Sequence, residues 1–395
     1  MLQRTDRARP TSLPTAGKTI RLASRNEISQ SPHWQTAFAR ERKDHRYYEL
    51  VEDTLKDGFT YGYFAVESGG AVCAIQPYFI VDQDLLAGIG GPVQDLIAGI
   101  RRHWPRFMRA HTLMVGCSAG EGHLDGDDAA RVATAELFAD ALPGLARKLG
   151  CAMVVLKEFP ADCRPALQCL RAAGFTRIPS MPMTTLAIDY KNFDDYVSSA
   201  LSPATRGKLR RKLRAAERAR PPITMSVVDD VSAVVDEIYP LYEKVFERSS
   251  MHFEKLTKDF LCEIGRRIPD KARFFMWRQD ARIVAFGLCM VQDDGIWSEY
   301  VGFDYAVAFE LNLYYRVFHD TIAWAIANGY KRFYSTSLNY DPKWHLRQSL
   351  YPVDLYVRHT SAPINALLRR LLPLLEPTHT DKILPHFHNY GDLWH

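Results

Sequence analysis

Two carboxylates, Glu299 and Asp304, bracket the end of a strand-like run, IWSEYVGF, in which aromatic and small residues alternate at period two. Alternation sets Glu299 on the same face as Trp297 and Val301, and desolvation by such neighbours raises a carboxyl pKa toward the range of a general base. The other reading is a Glu299 that faces solvent at a strand edge. Tyr314 follows after a loop and stands about 100° round a helix from Tyr315, so Tyr315 joins the apolar stripe and Tyr314 is free to face a ligand as an acid. His319 lies beside the stripe and reads as a packed or solvated side chain. Beyond the next strand come Ser335, Ser337, Asn339, Lys343 and His345. Open α/β sheets bind ligands at the C-terminal ends of their strands, which makes these five the candidate substrate contacts.

Other chemistry-bearing patterns carry less. Gly116-Cys117-Ser118-Ala119-Gly120 fits the Gly-x-Ser-x-Gly elbow of hydrolases, but the elbow needs a helix directly after its serine and EGHLDGDD intervenes. His386-Phe387-His388 has no carboxylate at ligand spacing, so no metal site is expected. The seven cysteines are scattered and never form Cys-x-x-Cys, which points to buried thiols in a reducing compartment and not to disulfides.

The elements that must position these residues follow from periodicity. Tyr300 to Ser337 reads as strand, loop, helix and strand: Leu311, Tyr315, Phe318, Ile322 and Ala325 form one stripe, Gly329 stops the helix, and KRFYS is the next strand. Earlier, YGYFAVESGGAVCAIQPYFIV is a hairpin turning at Ser68-Gly69-Gly70. After a helical stretch come the strand TLMV, a helix from Val132 to Leu149 kinked at Pro143-Gly144, the strand CAMVVLKEF, a helix ending at Gly174, and a further strand from Phe175. The second half repeats this order: the hairpin RFFMWRQDARIVAFGLCMV, a strand, a helix, a strand, the segment PKWHLRQSLYP and the strand VDLYVRH. A duplicated architecture is expected.

Between the halves lies SPATRGKLRRKLRAAERARPP, with Ser202 as N-cap, Pro203 at the first helical position and only Glu217 against eight cations. It is either a polyanion contact or, the favoured reading, a solvated linker helix docked through Leu209 and Leu213. SAPINALLRRLLPLLEP near the C-terminus is amphipathic and is expected to pack on the body, with a peripheral membrane or partner contact as the alternative. At 395 residues, 47% hydrophobic and 24% charged with a net charge of +4, the chain suits two globular domains and no general attraction to DNA. No run is long enough to span a bilayer and the N-terminus lacks an apolar signal region, so a cytoplasmic location is expected. The expected spans are 1–20 disordered, 21–190 an N-terminal domain, 191–222 the linker helix, 223–360 a C-terminal catalytic domain, and 361–395 a helix and tail.

Two α/β halves joined through FDDYVSSALSPATRGKLRRKLRAAER, with LNLYYRVFHDTIAWAIANGYKRF in the second half and LRAAGF in the first, resemble the tandem GNAT-fold acyltransferases over residues 55–360. Within that family the FemAB-like, peptidoglycan-biosynthesis and cellulose-biosynthesis-associated acetyltransferases are the nearest groups. The resemblance implies an α/β (α+β) fold of two GNAT-like domains, each a mixed sheet flanked by helices, joined by a basic linker helix. It implies transfer of an acyl group from acyl-CoA, acetyl-CoA or another thioester to a small-molecule or cell-envelope amine, in the second half and without a metal. The alternatives are a Fem-type aminoacyl-tRNA-dependent transferase, with tRNA the less favoured partner, and a catalytically inactive binding protein. On this reading Glu299, Asp304 and Tyr314 are the catalytic candidates, and Tyr300, Val301 and Asn312 contact the donor, although Asn312 also suits a helix cap. The chain departs from the family at the phosphate loop: FDYAVAFELNLYY has no glycine after Gly302. Cys117-Ser118-Ala119-Gly120-Glu121-Gly122 is a partial match whose Glu121 opposes an anion.

Overall fold

A computed structural model describes residues 17–84, 99, 102, 103, 109–249 and 252–395. Residues 1–16 of the start expected to be disordered, and most of the helical stretch before TLMV, lie outside the described residues. Residues 18–20 do not follow that expectation, because they open an edge strand, β1 (Lys18–Ala23), which pairs antiparallel with β2.

The first half continues with α1 (Arg25–Ser29), closed at its start by a capping box between Ser24 and Glu27, and α2 (His45–Thr54), capped by Asp44. The hairpin β2 (Thr60–Ser68) and β3 (Ala71–Asp84) turns where expected, with Gly69 and Gly70 at φ +59° and +82°. After β4 (Arg109–Val115), helix α3 (Asp128–Lys148) starts earlier than Val132 because Asp127 caps it, and it runs through Pro143 as one element. Then follow β5 (Met153–Pro160), α4 (Arg164–Ala172), β6 (Thr176–Pro179) and β7 (Met183–Ala187). The linker is two helices, α5 (Phe193–Ala200) and α6 (Pro203–Glu217), the latter capped by Ser202 as its sequence requires.

The second half comprises β8 (Ile223–Val228), α7 (Val235–Arg248), α8 (Lys258–Arg267), β9 (Ala272–Gln279), β10 (Arg282–Gln292), β11 (Gly295–Phe303), α9 (Leu313–Ala327) and β12 (Arg332–Ser335). It ends with α10 (Tyr340–His345), β13 (Ser349–Tyr351), β14 (Val353–His359) and α11 (Ala362–Leu375).

Two seven-stranded mixed sheets result, β1-β2-β3-β4-β5-β14-β6 and β8-β9-β10-β11-β12-β7-β13. Each has four antiparallel strands, one parallel step (β4 with β5, β11 with β12) and two further antiparallel strands. The duplication is therefore real, and it is reciprocal. β14, from the second half, inserts between β5 and β6, while β7, from the first, inserts between β12 and β13. The spans 21–190 and 223–360 thus each give one strand to the other's sheet.

One core joins the halves: Trp34, Tyr47, Leu50 and Tyr63 of the first pack in the same cluster as Leu256, Phe260, Phe274, Leu288 and Met290 of the second. The other face of the second sheet is covered by α5, α6 and α9 through Tyr196, Leu209, Phe318 and Ile322. Leu209 is buried and Leu213 half-buried, so the linker helix docks as its apolar positions require. Tyr315, expected in the core, instead lies half-buried with the Lys212 ammonium 3.6 Å from its ring centre. No helix among the described residues is long and apolar enough to cross a membrane.

Candidate active site at the seam between the halves

Strand β11 is the element that positions the expected catalytic residues, and it is irregular where they sit. Leu288 of β10 faces Tyr300, but its neighbour Cys289 faces Ser298, so Glu299 is an extra residue, a β-bulge. The bulge overturns the alternation read from the sequence. Tyr300 packs against the shared core and Trp297 and Glu299 meet Arg42 of the first half, whereas Val301 turns to the opposite face among the residues beneath α9. The parallel ladder to β12 also ends at Ser298–Ser335, so among the described residues the edge of β11 from Glu299 to Phe303 has no strand partner on that side.

Glu299 does not face solvent. It is buried, and its Oε1 accepts from Arg42 Nε at 2.6 Å while its Oε2 lies 3.5 Å from Lys43 Nζ. Both cations reach across to a second buried carboxylate, Glu121, at 2.5 Å from Arg42 Nη1 and 2.8 Å from Lys43 Nζ. Two positive and two negative side chains thus close a ring at the seam. Lys43 is fully buried, and the Arg42 guanidinium sits 4.8 Å from the centre of the Trp297 ring. Burial opposes ionisation of Glu121, but Arg42, Lys43 and a 3.1 Å contact with His123 hold its carboxyl well below the usual carboxylate range.

Local chain geometry builds this ring. Asp44, the cap of α2, pairs with Lys271 of the second half at 2.9 Å, and Lys271 also donates to the Glu41 carbonyl. Asp125 accepts from the amides of Phe38 and Ile75, tying the segment before Arg42 to the first sheet. Gly120 lets Lys43 pass: it lies at φ +101°, and a Cβ there would meet Lys43 Nζ at 1.8 Å. The Gly-x-Ser-x-Gly sequence is part of this loop and not a nucleophile elbow, for Ser118 is buried with its Oγ 2.9 Å from Tyr61 Oη, and no helix follows it.

A second group lies beside the ring. The Tyr300 hydroxyl donates to Glu254 at 3.0 Å, and burial pushes the half-buried Glu254 carboxyl up while Lys157 and Tyr300 pull it down. Lys157 Nζ donates to the Gly120 carbonyl at 2.9 Å and to Glu158 at 2.6 Å. An aromatic wall completes the seam: Trp297 stacks on Tyr334 at 4.4 Å with planes 2° apart, and Tyr351 meets Tyr334 edge-on at 5.4 Å.

The other expected site residues fall elsewhere. Asp304 is buried, paired with Arg282, and accepts from the Ala306 amide, which makes it the anchor of the turn after β11. Asn312 stands at the start of α9 without a side-chain cap bond, and its place is explained by a left-handed φ of +48° that asparagine tolerates. Tyr314 is half-buried with its ring edge-on to Tyr315, and burial raises its pKa. His319 packs against Phe193 and contacts Asp320, which also accepts from Trp277 and Arg316. Ser335 hydrogen-bonds within a group that includes Thr184 (2.8 Å) and Gln348 (3.2 Å). Ser337 is half-buried, and Asn339 is exposed with a φ of +52°. Lys343 is buried, donates to the Thr336 carbonyl and is lowered by burial to about 7. His345 is exposed, 3.8 Å from Asp341. The structure therefore brings Glu299 and Tyr300 together at the seam, and leaves Asp304, Asn312 and Tyr314 at the far end of β11.

A family model described as an acetyltransferase (GNAT) domain matches residues 203–341. FemX superposes over 82% of this chain and 93% of its own, with a TM-score of 0.50 and 12% identity. This chain has a tandem GNAT fold. L-PGS from Bacillus licheniformis (TM-score 0.48, 14% identity, 82% of this chain and 95% of that one) is similar as well. So is a tandem GNAT protein from the clavulanic acid biosynthesis pathway (0.45, 12%, 87% and 99%). Comparison with curated proteins yields no match. At such identities the likeness speaks for the fold and not for the activity or the substrate.

Proposed function

We propose that this chain is an N-acyltransferase that moves an acyl group from acyl-CoA, or another acyl thioester, to an amine. The observation that supports this most is the edge of β11 beyond Ser298, unpaired among the described residues and next to the bulge at Glu299. A strand edge of this kind offers backbone N–H groups to a donor's amides and to the oxyanion of a tetrahedral intermediate. The amine must also lose a proton near neutral pH. Glu254 suits that task better than Glu299: its carboxyl is raised by burial and held by Tyr300, whereas the oxygens of Glu299 are engaged by Arg42 and Lys43. In this reading Glu299 positions the bulge, Tyr300 links it to the base, and Asp304 and Tyr314 support the strand and helix ends.

Thermal unfolding with and without acetyl-CoA, followed by thiol release against a panel of primary amines, tests the proposal. The expected result is a higher Tm with donor and amine-dependent thiol release, with kcat lowered roughly 10²- to 10⁴-fold by Glu254→Gln. Absence of both effects with short and long acyl-CoA would overturn it.

A second reading has its own support. Lys208, Arg210, Arg211, Arg214 and Arg218 on and just after α6 are exposed, and none of them forms an ion pair among the described residues. Such a surface suits an aminoacyl-tRNA donor. Salt-dependent binding of charged tRNA, lost when Arg210, Arg211 and Arg214 become Gln, would favour it over a thioester.

A further inference from the structure

Helix α11 has no buried residue, although it lies against β14 and β6. Only Asn365, Leu368 and Leu372 are half-buried, with the Asn365 amide bonded to the Gly174 carbonyl and the His359 amide to Asn365 Oδ1. Ile364, Leu367, Leu371, Leu374 and Leu375 are instead exposed, by 39% to 74%, and they make up most of the large apolar side chains exposed among the described residues. At 3.6 residues per turn the five fall within an arc of roughly 100°, beside the packed face. The expectation that this helix packs on the body holds for one face only.

We propose that α11 docks the protein on a bilayer surface containing anionic phospholipid. The helix carries no acidic residue, its charges are Arg369 and Arg370, both exposed, and Arg370 borders the apolar stripe. Arg370 at the edge of the stripe complements an anionic headgroup, while the leucine stripe enters the acyl boundary parallel to the surface. A protein partner in place of lipid would have to match an aliphatic stripe that carries no aromatic anchor, which is unlike the centre of a protein interface. Docking of this kind is independent of the acyl transfer proposed above.

Flotation of the full chain with phosphatidylcholine vesicles, and with vesicles in which part of the lipid is phosphatidylglycerol, tests this directly. The protein is expected to float with the anionic vesicles, and less so as salt is added. Leu367→Ser/Leu371→Ser/Leu374→Ser, whose exposed positions leave the Tm unchanged, should weaken binding by tenfold or more. Arg369→Gln/Arg370→Gln should weaken binding to anionic vesicles by roughly fivefold per arginine and leave neutral vesicles unaffected. Equal flotation of the leucine variant and the wild type, no flotation at all, or equal binding to neutral vesicles would overturn the proposal. So would a wild-type dimer that the leucine variant converts to a monomer, since a second copy would then cover this face.

Discussion

Glu299→Gln separates a positioning carboxylate from a base. The substitution keeps the size of the side chain but leaves Arg42 and Lys43 facing Glu121 alone, so a ring of zero net charge becomes a buried cation. Breaking one partner out of a buried ion pair costs about 3–5 kcal/mol, and an amide oxygen still open to Arg42 places this case near about 3. At about 2 cal/mol/K of unfolding entropy per residue, one kcal/mol moves the Tm of a unit of 395 residues by about 1 °C, so Tm should fall by about 3–4 °C. Urea unfolding followed by circular dichroism and tryptophan fluorescence measures the loss. The companion variant Glu299→Gln/Lys43→Met restores neutrality with an apolar chain of similar length, and it should regain half or more of the lost stability. A Glu299→Gln protein within about 0.5 kcal/mol of the wild type, or a double variant no better than the single one, would refute the ring as an electrostatic unit and return Glu299 to the list of free bases.

Three further outcomes follow from the geometry. Gly120→Ala should cost about 1–3 kcal/mol or more, read by urea unfolding, because its φ of +101° and the 1.8 Å approach to Lys43 Nζ leave no room for a methyl group. Lys343 has a folded pKa of about 7 against an ordinary 10.5, so between those values the unfolded chain holds a proton that the native one lacks, and stability rises with pH by up to about 1.4 kcal/mol per unit. Lys343→Met should remove that slope across pH 7 to 9, and an unchanged slope would mean that the amine is hydrated in the native state. Finally, residues 223–395 expressed alone lack β7 and should fail to give a cooperative unfolding transition, whereas the full chain, tied by two exchanged strands, should unfold as one unit.

Much of the fold was legible because its signals are local. Gly69-Gly70 announced the hairpin, Ser202-Pro203 the start of α6 and Gly329 the end of α9, and each is a matter of φ or of capping within a few residues. The repeated order of elements was equally visible, since it is only a sequence of such local signals. The exchange of β7 and β14 was not. A strand of five to seven residues with buried side chains reads the same whichever sheet receives it, and nothing in MTTLA or VDLYVRH names its partner.

The site was harder to read for two separate reasons. First, period-two reasoning carried Val301 to the face of Glu299, but a single inserted residue turns every later side chain over. No glycine or proline marks the bulge, and the partners that engage Glu299 there, Arg42 and Lys43, lie outside any window of β11. Secondly, Arg42, which donates to Glu299, is 257 positions away. Arg42 and Lys43 sit in RERKDHR, and charged side chains in such a run are mostly found outside; only the buried carboxylates Glu121 and Glu299 make its burial tolerable. Four charges that are each expected outside become an interior together. Their cost falls only when all four meet, so the information lies in the tertiary pairing and not in any one segment.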